Sequence, residues 1–261
     1  MAMLRLELQG DQGAITLRAF VTAVEANLRM LADYDRALSN DPRGSLEWVV
    51  CGLSTGSLVV TAEGRTRVEG VNVGPAVVRE HVQGWRLIEQ QGATPPYLTE
   101  GAMRKAREMA RLIGHHGVSG LVVSSHGERA EVTARASAHI EQLLPIRQHS
   151  IGSIEGTIET ISIHGMKPFV VYHSRTRKAV TCRFKSDEWI ARAAEAMGRR
   201  VSVLGTVYSN AKGEPMRVDV ERLRVLRSKE ELPSITSLSR NRPDFTGDLS
   251  TEEYIAEIRS A

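Results

Sequence analysis

The chain has 261 residues, 41% of them apolar and 25% charged, with a formal net charge of +3 and two cysteines. That length supports one large domain or two small ones with cores of their own. No run of eighteen apolar residues offers a transmembrane helix. The start, Met1-Ala2-Met3-Leu4-Arg5, lacks a basic segment followed by an apolar one, so no secretory signal is expected. Cys51 and Cys182 lie far apart in apolar runs. They predict neither a disulfide framework nor a zinc site, and a cytoplasmic setting fits best.

Charge divides the sequence into three blocks. Residues 1–150 are neutral, residues 151–228 carry a net +6, and residues 229–261 carry a net −3. A basic block attracts phosphates, and an acidic tail competes with them. The expected domains follow these limits: 1–150 for oligomerisation or partner contacts, 151–228 as a basic module, 229–261 as linker and short helix.

In the first block, Leu4, Leu6 and Leu8 alternate with charged residues as a half-buried strand does. Leu17, Phe20, Val21, Val24, Leu28 and Leu31 recur at helical spacing and predict a helix over Ile15–Leu38, stopped at Pro42. Leu46–Leu53 and Leu58–Ala62 read as a β-hairpin around Gly56, with Cys51 buried inside it. Pro75 suits a first helical turn, followed by Val77, Val78, Val82, Trp85 and Ile88. Thr99 caps a helix reaching Ile113, Val118–Ser124 is a strand, and Thr133 caps a helix ending at Pro145. The order β-α-β-β-α-α-β-α predicts a mixed α/β sandwich.

The second block reads as five strands and one helix. The strands are Ile154–Ile163, Phe169–His173, Ala179–Phe184, Val201–Tyr208 and Met216–Leu226. The helix, Glu188–Met197, falls between strands three and four, with Trp189, Ile190 and Ala193 inward and Gly198 closing it. Irregular spacing around Gly156 predicts a bulge. This order resembles the OB-fold. The fold class expected of the whole is α+β: an N-terminal α/β sandwich, a small OB-like five-stranded β-barrel, then an extended tail with a short helix.

The resemblance implies a ligand face on strands two and three and the adjoining loops. There, Phe169, Tyr172, His173 and Phe184 could stack on bases, and Lys167, Arg175, Arg177, Lys178, Arg183, Lys185 and Lys212 could pair with phosphates. Barrel geometry sends about half of the strand residues inward, so some of these aromatics belong to the core.

In the tail, Ser250 and Glu253 form a capping box before a helix carrying Tyr254, Ile255 and Ile258. Linker plus short amphipathic helix is similar to the toxin-clamping tails of some antitoxins. The resemblance implies a protein partner gripped by Phe245, Tyr254, Ile255 and Ile258.

No phosphate-binding loop, dinucleotide fingerprint, HExxH or GxSxG occurs. His115-His116 is the only adjacent histidine pair, placed to cap a helix end. Asp33 and Asp35, two apart on a helix, do not face each other as an acid/base pair. The expected function is non-enzymatic binding of single-stranded or structured nucleic acid, without cofactor, metal or membrane, and with homo-oligomerisation open. The alternatives are an antitoxin-like interaction module and a small-molecule sensor or enzyme with its site near Ser54–Ser57 or Arg65–Gly74.

Overall fold

The computed structural model describes residues 2–11, 13–54, 58–70, 72–161, 168–184, 188–227, 231 and 246–260. Met1–Leu226 form one compact unit and Arg227–Ala261 a second. The first unit is α+β and holds two five-stranded sheets, each with its own apolar core. No helix among the described residues is long and apolar enough to cross a membrane.

The first sheet has the order β2-β3-β1-β4-β5, all antiparallel. Its strands are β1 (Ala2–Gly10), β2 (Leu46–Ser54), β3 (Leu58–Thr66), β4 (Val118–Ser125) and β5 (Glu128–Val132). In β1, Ala2, Leu4, Leu6 and Leu8 are buried, as alternation requires. They meet helices α1 (Leu17–Ser39), α2 (Gly74–Arg86), α3 (Glu100–Ala110) and α4 (Ala134–Leu143) in one core.

The helix starts follow local chemistry. The hydroxyls of Thr16, Thr99 and Thr133 accept from the backbone N–H of Ala19, Ala102 and Arg135. Helix α2 opens at Gly74, where a Cβ would come within 2.6 Å of the Ala2 Cβ. It continues into a π-helical turn, Leu87–Gln91, closed by Gly92 at φ 54°.

Strand β5 is not anticipated by the sequence pattern. It is short and mostly charged, and its turn uses His126 and Gly127, both at positive φ. Cys51 is exposed rather than buried, because β2 is an edge strand whose pairing shifts between Val50 and Gly52.

Asp33 and Asp35 are buried, and both serve structure. Asp33 accepts from the Thr99 N–H and hydroxyl at 2.9 and 2.6 Å and pairs with Arg36. Asp35 accepts from the N–H of Ser45 and of Leu46 at 3.0 and 2.8 Å, tying the end of α1 to the start of β2.

The second sheet holds β6 (Gln148–Ile161), β7 (Phe169–His173), β8 (Ala179–Phe184), β9 (Arg200–Ser209) and β10 (Pro215–Val225). Each strand pairs with two others in the closed order β10-β8-β7-β6-β9, with β8 and β10 parallel. Strand β6 starts at Gln148, ahead of the expected Ile154, because its first ten residues pair with β9. Gly156 marks a close approach: a Cβ there would lie 2.1 Å from the Tyr172 carbonyl oxygen. The register shift itself falls between Ile158 and Thr160.

Helix α5 (Glu188–Glu195) buries Ala193, with Ala196 just beyond it. Trp189 and Ile190, expected inward, are only half-buried. The Trp189 ring stacks on Phe184, and Arg192 lies 5.0 Å over it.

The second unit contains α6 (Thr251–Ser260), which has no buried residue. The capping box forms: the Glu253 N–H donates to the Ser250 hydroxyl at 3.3 Å, and the Ser250 N–H donates to the Glu253 carboxylate at 2.8 Å.

Candidate nucleic-acid interface

The face expected to bind ligand turns out to be largely committed to folding. Lys167, Lys185 and Phe245 lie outside the described residues. Phe169 is fully buried among the barrel residues, 4.6 Å from the Phe184 ring, so it cannot stack on a base. Tyr172 is also buried, with its ring 6.0 Å from Tyr97 of the segment before α3. Tyr97 in turn meets Tyr34 of α1 at 6.5 Å. Burial, with the Asp33 charge nearby, raises the Tyr172 phenol above its ordinary value.

Two expected phosphate ligands are spent at the same seam. The Lys178 ammonium donates to Glu214 Oε1 at 2.5 Å. Glu214 Oε2 accepts from the Thr94 hydroxyl at 2.5 Å and the Asn210 amide at 3.0 Å. Burial pushes the Glu214 carboxyl up, but these donors outweigh it and hold the group below its ordinary value. The Lys212 ammonium donates to the carbonyls of Gln91 and Gly92 at the end of the π-helical turn. The Tyr97 N–H donates to the Arg177 carbonyl at 2.8 Å, and both residues have positive φ. Seam contacts of this kind place the β7–β8 side of the barrel against the N-terminal helices.

His173 accepts from the Thr176 N–H inside the β7–β8 turn. Arg175 and Arg177 remain exposed at that turn. Arg183 stands opposite Asp219 in the β8–β10 register.

A different face of the barrel gathers aromatic and basic groups. In β9, Val201, Val203, Gly205 and Val207 point inward, which sends Ser202, Leu204, Thr206 and Tyr208 outward. Registry places His149 on one side of Tyr208 and Arg217 on the other. The His149 and Tyr208 rings stack at 6.0 Å with 29° between planes. The Arg217 guanidinium lies 3.9 Å over the Tyr208 ring. The Tyr208 hydroxyl donates to Asp219 at 3.0 Å, which fixes the ring.

One row along, Ile151 is 79% exposed opposite Thr206. Further along β10, Arg222 and Arg224 are exposed opposite Leu204 and Ser202. Sequence reading passed over this set because it depends on registers between strands far apart in the chain. The signal available was the strict alternation of Val201 to Tyr208, which already assigns Tyr208 to the outer face.

Elsewhere, a shallow cleft of about 360 Å³ is lined by Arg86, Glu89, Gln90, Arg129, Glu131 and Thr133. Its polar groups are engaged: Arg86 donates to the Arg129 carbonyl and Glu89 accepts from Thr133. His115 and His116 line a smaller cleft of about 270 Å³ with Asp11. No group of three or more potential metal ligands occurs among the described residues. Of the polar segments considered for a small-molecule site, residues 55–57 and 71 lie outside the described residues, and Ser54 is exposed at a strand end. No protein-family model matches the chain, and no curated protein is similar to it.

Proposed function

We propose that the protein is a non-enzymatic nucleic-acid-binding protein whose barrel is an OB-fold. The strand order β6-β7-β8-β10-β9, with a parallel pair closing the ring and α5 between β8 and β9, supports the fold. The observation that carries the function is the outward row His149–Tyr208–Arg217, flanked by Arg222 and Arg224. His149, exposed at the end of the row and backed by Tyr208, offers a base a stacking surface, and Arg222 and Arg224 offer its phosphates counter-charges; Arg217 itself pairs with Asp219 at 3.3 Å. The ligand is a single strand, held by stacking and charge with little base readout. The usual ligand face of strands two and three is occupied in cis, so binding moves to the β6–β9–β10 side. Fluorescence anisotropy with labelled single-stranded DNA and RNA, at low and moderate salt, tests this. Binding that weakens steeply with salt and falls on Tyr208→Ala supports it. Affinity unchanged by Tyr208→Ala and by Arg217→Ala would remove this face.

A second reading rests on α6. It is a capped helix of ten residues with no buried residue, too short to be stable alone in water. We propose that Tyr254, Ile255 and Ile258 form a peptide ligand for the groove of another protein, as in antitoxin-like modules. Ending the chain at Leu226 would then abolish capture of that partner and leave the melting transition of the rest unchanged. A partner retained by the shortened chain would exclude α6 as the ligand.

A further inference from the structure

Arginines converge where β9 begins and β10 ends. Arg224 stands opposite Ser202 and Arg222 opposite Leu204, while the Leu226 N–H donates to the Arg200 carbonyl at 2.8 Å. Arg200, Arg222 and Arg224 fall on the outward face, because Val201, Val203 and Leu223 pack toward the barrel core. Arg199 stands beside them at the rim, and all four arginines are exposed.

Little opposes this charge. Arg200 pairs with Glu155 of β6 at 2.8 Å. Among the described residues, neither Glu221, at the β10 register shift, nor any other carboxylate forms an ion pair with Arg199, Arg222 or Arg224.

The cations are not spread along the wall. Between the His149–Tyr208 row and this corner, β6 and β9 present Ile151, Ser153, Thr206 and Leu204 outward, none of them charged. Asp219, opposite Thr206 on β10, already accepts from Tyr208 and pairs with Arg217. A groove that tracks a strand meets a phosphate at every nucleotide and carries positive charge along its length. Here the unpaired cations gather at one end and the stacked row stands at the other. A phosphate inside a strand bears one negative charge. A terminal phosphomonoester bears about −1.5 to −2 at neutral pH and has three strong acceptor oxygens, which guanidinium forks bind in pairs.

We infer that the corner binds the phosphorylated end of the strand. Arg222 and Arg224, with Arg199 at the rim, hold the terminal phosphate. The Ile151–Leu204 strip, where Ile151 is 79% exposed, lies under the apolar surface of the adjoining nucleoside, and His149 stacks on a base farther from the end. The ligand class is thus a single strand that ends in a phosphomonoester. End recognition depends on the single-strand binding proposed for this face, since one wall holds both.

Fluorescence anisotropy with the full chain tests it, using one internally labelled oligonucleotide with a 5′ phosphate, a 3′ phosphate or neither. The two phosphorylated forms carry the same total charge, so a difference between them reports position. One of them should bind about tenfold tighter than the other two forms, the worth of one hydrogen bond to a charged group. Arg222→Ala combined with Arg224→Ala should erase that preference with unchanged circular dichroism, and leave weaker binding that Tyr208→Ala still lowers. Arg224→Lys keeps the charge but loses the fork, and should retain only part of the preference. An equal gain at both ends, no gain at either, or a preference that survives the double substitution would overturn end recognition, while Tyr208-dependent binding would stand. No binding of any form would overturn the corner and the strand reading together.

Discussion

Lys178 and Glu214 form an ion pair at 2.5 Å between side chains each less than one-fifth exposed, and Thr94 of the N-terminal segment completes it. The pair welds the β7–β8 turn and the start of β10 to the residues that precede α3. A group at such a seam is costly to orphan, because its partners stay behind without theirs. Lys178→Ala is expected to lower stability by about 1–3 kcal/mol and to leave the secondary structure intact. Because the Glu214 carboxyl is held below its ordinary value, its contribution is present above the unfolded carboxylate range. It is lost as pH falls through the lower folded value. Urea titrations of wild type and Glu214→Gln across acidic pH should converge at the acid end. Parallel curves would show that the pair contributes nothing.

His81 and Trp85 share one acceptor, Asn27 Oδ1, at 2.9 and 3.0 Å, while the Asn27 amide donates to the Ala23 carbonyl. The Trp85 N–H can only donate, so the His81 proton sits on Nε2 and Nδ1 is bare. Burial lowers His81 to about 3. An unfolded histidine binds its proton near 6.5, so the unfolded state takes up a proton that the folded state refuses. Stability is therefore complete above about pH 6.5 and declines by roughly 1.4 kcal/mol per unit below it, until the folded value is reached. His81→Gln should flatten that decline in thermal melts. Asn27→Ala should cost about 2–4 kcal/mol at neutral pH, because it orphans two buried donors at once.

These contacts also mark where sequence reading stops. Thr99, Thr133 and Pro75 were legible because a cap or a first turn involves neighbours three residues away. Leu4, Leu6 and Leu8 were legible because the sheet has one covered face and one open one. Phe169-Val170-Val171-Tyr172 was not, because barrel core covers one side and Tyr97 the other, and continuous apolarity hides which residues point in. Lys178 read as a partner for phosphates. Its partner Glu214 is remote in sequence, and the lysine's job depends on how the barrel docks. Asp33 and Asp35 read as a failed catalytic pair, when each was reaching for backbone N–H groups in a different loop.

Glu159 titrates with the opposite sign. It sits at the register shift of β6, its Oε2 buried without a hydrogen bond, and burial raises its carboxyl to about 7 against the pull of Arg177. A folded value above the unfolded one means that its contribution is full below about pH 4.5 and is lost as pH rises through about 7. Glu159→Gln keeps the shape and removes the charge. The variant should match wild type near pH 4 and exceed its melting temperature near pH 8. Equal melting temperatures at both pH values would place the carboxylate in water.

The proposed nucleic-acid face yields the sharpest contrast between residues. If binding uses the β6–β9–β10 side, Tyr208→Ala removes the ring that backs His149, breaks the stacked row and should cost about 1–3 kcal/mol of affinity at any salt concentration. Arg222→Ala and Arg224→Ala remove phosphate partners, so each should shallow the plot of log affinity against log salt by about 0.7 for a single strand. Lys212→Ala should leave both quantities unchanged, since its ammonium is already bound to the Gln91 and Gly92 carbonyls. Arg175 and Arg177 decide between the two faces. They are exposed, basic and on the β7–β8 turn, so a face built on strands two and three would need them. Replacing both with alanine should move the salt plot less than Arg222→Ala does. A larger effect from the turn arginines, with Tyr208→Ala silent, would return the ligand to the β7–β8 side and require the seam at Tyr97 and Tyr172 to open first.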